Sequence, residues 1–188
     1  MRWLCLDPGL KRTGVAISSP EGGYAVPLLV LEHDADGPSL DDIASLVREH
    51  NAQGLVIGFP LSMDGTASAQ TRDVFKFALR TAQHLRALLQ VPPDVVLPEM
   101  EGEDAALVPT DNCSGVTVTL WDERLTSWEA QRRAGGGDRS RRTKATKARA
   151  LDAHAAAVIL QSFLDARSEM ARSERTSADG TGASDETD

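Results

Sequence analysis

Acidic residues at three places in this 188-residue chain stand where a chemical site could form. Asp7 closes the apolar run Trp3-Leu4-Cys5-Leu6 and precedes a Pro8-Gly9 turn pair. Asp122 and Glu123 follow a second apolar, β-branched run, Val116 to Leu120. Asp152 sits beside the apolar stripe of a helix-like segment near the end of the chain. Carboxylates from two strand ends and one helix make a set of hard oxygen donors suited to Mg²⁺ or Mn²⁺. Two such ions about 4 Å apart activate a water and stabilise the leaving oxygen in phosphodiester hydrolysis, so no nucleophilic side chain is needed.

Each carboxylate has a plainer reading. Asp7 could be an ordinary turn-starting aspartate, and Asp152 a solvated acid favoured by the helix dipole. A charged group beside a close-packed alanine face is costly unless it is paired or metal-bound, however. Of Asp122 and Glu123, at most one can share a face with Asp7, because strand neighbours point to opposite sides. Glu123 is the choice: Leu120, Val118 and Val116 are out of phase with it, and Asp122 has the better claim to cap a helix beginning near Thr126. That choice rests partly on the resemblance described below.

Basic and polar candidates surround these acids. Lys11 and Arg12, in the turn after Asp7, could hold a scissile phosphate or be a solvated hairpin tip. Arg124 could contact phosphate or pair with an acid such as Asp122. Ser62 and Asp64, with Gly65, shape a loop after a central strand, where ligands approach open sheets. Arg139, Arg141, Arg142, Lys144, Lys147 and Arg149 form a run leading into the Asp152 segment, and such flexible cationic runs order on nucleic acid.

The elements that must position these groups follow from the apolar pattern. Trp3 to Leu6 and Gly14 to Ile17 read as two buried strands of a hairpin, and Tyr24 to Leu31 as a third, with Pro27 marking an edge strand or bulge. Ser39 to His50 has helical spacing with Ser39 as N-cap. Leu55 to Ile57 forms a strand opened by Gly54, and a longer helix spans about 68 to 89, burying Val74, Phe75, Ala78, Leu79, Ala82, Leu85 and Leu88. Val116 to Leu120 is the fifth strand. A last helix runs from about 148 to 166 on Leu151, Ala155, Val158, Ile159 and Phe163. This pattern predicts an α/β domain, a mixed five-stranded sheet with helices on both faces.

The domain is expected to span residues 1–167. Residues 92–115, proline-rich with six acids and no base, read as a solvent-exposed insertion. Residues 135–147 read as a basic loop and 168–188 as a disordered acidic tail. The net charge of −8 at first opposes an anionic partner, but it is unevenly spread: residues 132–149 carry eight basic side chains and one acid. Cys5 and Cys113 match no metal spacing and read as free thiols. No apolar run approaches a membrane span. A cytoplasmic protein is expected, or a plastid or mitochondrial one whose transit peptide is missing from this sequence.

Four motifs carry a resemblance. Residues Leu6 to Ala16 (LDPGLKRTGVA), Val56 to Gly65 (VIGFPLSMDG), Asp122 to Ser127 (DERLTS) and Leu151 to Gln161 (LDAHAAAVILQ) are similar, in order, to those of the YqgF family, also called RuvX. The resemblance implies an RNase H-like fold and divalent-metal nuclease chemistry. It also implies a role in maturing the 5′ end of small-subunit (pre-16S) ribosomal RNA, Holliday-junction resolution being a second activity proposed for the family. Carried over residue by residue, the family's acidic triad falls on Asp7, Glu123 and Asp152. Leu10 departs from the Thr or Ser usual there, the Pro8-Gly9 pair is similar to that of RuvC resolvases, and Phe59 stands where Leu is usual. His154 falls about 200° round the helix from Asp152 and reads as exposed.

The expected partners are nucleic acid, an rRNA precursor or a DNA junction, and the ribosome, with the chain a monomer or homodimer and not membrane-bound. Junction resolvases cut symmetrically as dimers. A non-catalytic nucleic-acid or ribosome-binding module is the alternative outside enzymes. Two-domain sugar kinases also open on an Asp-x-Gly strand pair, but 188 residues hold one such domain.

Overall fold

The computed structural model describes residues 1–61, 68–89, 95–96, 116–125 and 144–179. Strands β1 (Trp3–Pro8), β2 (Arg12–Ser18) and β3 (Ala25–Glu32) form an antiparallel meander. Helix α1 (Leu40–Glu49), β4 (Gly54–Phe59), α2 (Ala69–Leu89), β5 (Val95–Val96), β6 (Thr117–Asp122), a 3₁₀ turn (Glu123–Leu125) and α3 (Lys144–Asp179) follow. One sheet in the order β3-β2-β1-β4-β6-β5 holds the six strands found among the described residues, with β1, β4, β6 and β5 parallel. This is the mixed α/β sheet with helices on both faces that the sequence predicts: the five expected strands and a two-residue sixth at the edge.

Local chemistry accounts for the boundaries. Ser39 Oγ accepts the Asp42 N–H at the start of α1, and Ser68 Oγ accepts that of Thr71 ahead of α2. Pro27 lies on edge strand β3, where the register slips between Val15 and Ala16, so the missing N–H is accommodated by a bulge.

The two faces of the sheet bury separate clusters. Leu4, Leu6, Leu55, Ile57, Phe59, Val118 and Leu120 face α1 and α2. Trp3, Cys5, Val56 and Trp121 face α3. Phe163 of α3 lies between the indoles of Trp3 and Trp121, 4.6 and 5.4 Å from them in edge-to-face contact. This pins α3 about three turns from Asp152.

Several expectations change. Val95 and Val96, inside the expected insertion, pair with Val118 and Thr119: a β-branched dipeptide closes the edge that β6 would otherwise leave open. Helix α3 starts at Lys144, a turn earlier than expected, so part of the basic segment is helical. It also continues to Asp179 through the expected tail, because residues 167–179 contain many good helix formers and no glycine or proline. Val158, Ile159 and Phe163 of its expected stripe are buried, together with Ala153, Ala156, Ala157, Leu160 and Leu164, while Leu151 is exposed. The small alanines let the helix approach the sheet closely, as expected. On α2, Phe77 is buried and Leu88 exposed. Ser62, Asp64, Arg141, Arg142, Cys113 and the helix expected after Thr126 lie outside the described residues. Among the described residues no helix is long and apolar enough to cross a membrane.

Candidate active site

Strand alternation puts Asp7 on the α3 face, because Leu6 points into the opposite cluster and Cys5 into the α3 cluster. Its neighbours across the sheet are glycines. Gly14 pairs with Asp7 on the β2 side, and Gly58 follows the Leu6–Ile57 pairing by one residue on the β4 side. Each glycine makes room for another carboxylate-bearing residue. A Cβ at Gly14 would fall 2.1 Å from the Asp152 backbone oxygen, so α3 can cross β2 at Asp152 only over a glycine. A Cβ at Gly58 would fall 2.8 Å from Glu123 Oε1. Asp7 therefore lies in a row between the glycine over which Asp152 crosses and the one that shelters Glu123.

The electrostatics agree. Burial first, and then the charge of Asp152, raises the Asp7 carboxyl to about 6. Burial, then Asp7, then Asp122 raises Glu123 to about 7. Burial, with Asp7 and Glu123 beneath which it lies, also pushes up the Cys5 thiol. These are carboxylates crowded together with too little positive charge.

Asp122 adds to the charge on Glu123 but has a cationic partner of its own. It is buried and grips Arg124: Oδ1 accepts the Arg124 backbone N–H at 2.9 Å, and the guanidinium contacts both carboxylate oxygens through Nε and Nη2. Of the two sequence alternatives for Arg124, the pair with Asp122 is formed, and Asp122 closes the 3₁₀ turn that delivers Glu123. Arg12, the expected phosphate ligand, instead lies on Asp152, Nε to Oδ2 2.8 Å. Lys11 is exposed in the turn, His154 is exposed as expected, and Lys144 and Lys147 fall on the first turn of α3.

The donor chemistry fits a hard cation. Asp152 Oδ2 is buried and makes no hydrogen bond, the Arg12 contact giving it charge without hydrogen-bond geometry. Glu123 occupies the space that a side chain at residue 58 would fill. Among the described residues no three acidic, imidazole or thiol groups form a ready-made metal centre.

Sequence reasoning missed Glu32 and His33. Both line, with Gly9 to Arg12, Asp34 and Asp152, a cavity of about 880 Å³ beside the carboxylates. The signal lay in the end of β3, which the meander must bring level with the β1–β2 turn: the His33 N–H donates to the Lys11 carbonyl.

The family model described as "RuvX: Holliday junction resolvase" matches residues 1–95 and 108–166, breaking within the expected acidic insertion. A protein of Syntrophus aciditrophicus named "Putative pre-16S rRNA nuclease" is 36% identical over 172 residues, covering 90% of this chain and 91% of that protein. One of the same name from Shouchella clausii is 35% identical, covering 89% and 97%. The solved structure of Thermus thermophilus RuvC shows a distant likeness, 13% identical with a TM-score of 0.47, covering 90% of this chain and 97% of that one.

Proposed function

From the premise that this chain belongs to the RuvX family, we propose that it is a divalent-metal-dependent nuclease that hydrolyses phosphodiester bonds of precursor 16S ribosomal RNA. The observation that carries the reading is the row Gly14, Asp7, Gly58, which brings three carboxylate-bearing residues to one end of the sheet.

Asp7, Glu123 and Asp152 are the residues that would hold Mg²⁺ or Mn²⁺. When bound, the cation supplies water activation and charge neutralisation at the leaving oxygen. The chain's own groups do the rest. Asp7, rigid on a central strand, fixes the reference position. Glu123 is delivered by the Asp122–Arg124 turn; burial and the nearby carboxylates raise its carboxyl to about 7 without metal, and a bound cation would favour its ionised form. Lys11 and Arg12 face the cavity through which a strand's phosphates would pass. Ser62 and Asp64, which follow β4 in the sequence, position substrate. The basic residues Arg141, Arg142, Lys144 and Lys147 supply longer-range attraction to the backbone. The ribosome and the cytoplasm are the corresponding setting.

A labelled precursor rRNA and a four-way DNA junction, each incubated with and without Mn²⁺, test this reading. Cleavage of the rRNA that needs the metal and is lost in Asp7→Asn supports it. The family description favours the junction as the second reading, and preferential, symmetric junction cleavage by a dimer would replace the first. Metal-independent cleavage, or full activity of Asp7→Asn, would overturn the mechanism.

A further inference from the structure

The cavity of about 880 Å³ beside the carboxylates is within the size range of ligand sites, and its charges are arranged unusually. It is bounded by the β1–β2 turn, by Glu32 to Asp34 and by Asp152 at the entry of α3. Its walls are braced. The Gly9 N–H donates to the Arg12 carbonyl at 2.9 Å, His33 Nε2 meets Thr13 Oγ1 at 3.0 Å and His33 Nδ1 lies 2.8 Å from the Asp34 carbonyl. Glu32 is taken by Arg149, whose Nε donates to it at 2.9 Å.

With Glu32 so paired, the cavity's remaining charges are Lys11 and Arg12 against Asp34 and Asp152. Arg12 is committed to Asp152. In this state the cavity has little net attraction for an anion. Arg12 and its partner Asp152 both line the cavity, and through Asp152 the cavity adjoins the carboxylate site above. The partner atom of Arg12, Asp152 Oδ2, is buried and without a hydrogen bond, so this oxygen is satisfied by charge alone and would exchange one cation for another.

We propose that the cavity is a subsite for a nucleic-acid backbone phosphate flanking the scissile one, and that Arg12 couples it to metal loading by leaving Asp152 for that phosphate when Asp152 turns to the metal. The inference rests on the nuclease reading and deepens it. Lys11 and the released Arg12 then face the phosphate with Asp34 the lone opposing charge. Because binding coupling is reciprocal, the phosphate strengthens metal binding by the same factor by which the metal strengthens phosphate binding. The metal-free chain holds nucleic acid weakly, and a nucleic acid in place favours loading.

The test uses the full chain, Mn²⁺ titrated by calorimetry, and a fluorescein-labelled 2′-O-methyl RNA hexamer followed by anisotropy. For the parent, saturating Mn²⁺ should tighten hexamer binding by about tenfold, and a methylphosphonate hexamer, with a neutral backbone, should show no such gain. Arg12→Gln should bind Mn²⁺ several-fold more tightly without hexamer, its competitor being gone, and should lose the coupling. Lys11→Gln should weaken hexamer binding and leave Mn²⁺ affinity unchanged. Asp152→Asn, which frees Arg12 without metal, should bind the hexamer in metal-free buffer several-fold more tightly than the parent. It gives the answer even if Arg12→Gln fails to fold. Unchanged or weaker Mn²⁺ binding by a folded Arg12→Gln, or no gain in Asp152→Asn, would overturn the coupling while leaving the nuclease reading intact. A parent that binds no Mn²⁺ overturns both.

Discussion

The backbone carbonyl of Asp152 sits where a side chain at Gly14 would be, with an ideal Cβ there falling 2.1 Å from the oxygen. Gly14 is paired with Asp7, so the closeness of α3 to β2 and the closeness of Asp152 to Asp7 are one geometric fact. In Gly14→Ala the obstacle is backbone, not a flexible side-chain end, so α3 must shift. Overpacking of this kind costs about 1–3 kcal/mol, and a lower midpoint in chemical denaturation together with weakened Mn²⁺ binding is expected. An unchanged midpoint would show that α3 crosses elsewhere.

Gly58→Ala should behave differently. Its Cβ would meet side-chain atoms, Glu123 Oε1 at 2.8 Å and Ile159 Cδ1 at 3.0 Å, which can give way. Stability should change by less than about 1 kcal/mol, within the range of well-tolerated packing changes, while metal affinity and cleavage fall because Glu123 is displaced. Equal losses in Gly58→Ala and Gly14→Ala would contradict this division of roles.

Asp7→Asn should fold and be inactive. Losing a direct ligand should cost more than the 10–100-fold typical of outer-shell partners, so cleavage should drop below about a hundredth of the parent rate. Circular dichroism should match the parent.

The same variant reports on pH. The Asp7 and Glu123 carboxyls are raised to about 6 and about 7, so the metal-free fold holds their protons more tightly than the unfolded chain does. Their contribution to stability is fullest below the ordinary carboxylate range and is lost as pH rises through about 6 to 7. Without metal, the melting temperature of Asp7→Asn should therefore gain on that of the parent from pH 5 to pH 8. Added Mg²⁺ should raise the parent's melting temperature more at pH 8 than at pH 5. A difference between variant and parent that is flat with pH would remove the electrostatic reading.

Arg124→Ala leaves the buried Asp122 carboxylate without its guanidinium partner. Leaving a buried polar group unsatisfied costs about 1–3 kcal/mol, and urea unfolding should show it. Asp122→Asn, which keeps an acceptor for the Arg124 backbone N–H, should lose less. If Arg124→Ala instead keeps its stability and weakens only substrate binding, Arg124 contacts phosphate.

Much of this protein is legible in its residues. Alternating apolar patterns, Ser39 as a cap and Pro27 at an edge prescribe local structure, because capping, turn and strand preferences act over a few residues. Asp7 stands out from its place at a strand end, and the triad assignment Asp7, Glu123, Asp152 came from motif resemblance joined to strand parity. Tertiary packing alone decided the rest. How closely α3 crosses β2 depended on the Asp152 backbone meeting Gly14, a contact between residues 138 positions apart. The Val95–Val96 strand exists because β6 offers an open edge. Arg12 and Arg124 carry the same charge and looked alike as phosphate ligands. Each found the nearest carboxylate, Asp152 across the fold and Asp122 within its own turn, and an ion pair over long sequence separation is set by where the chain returns, not by the residues beside it.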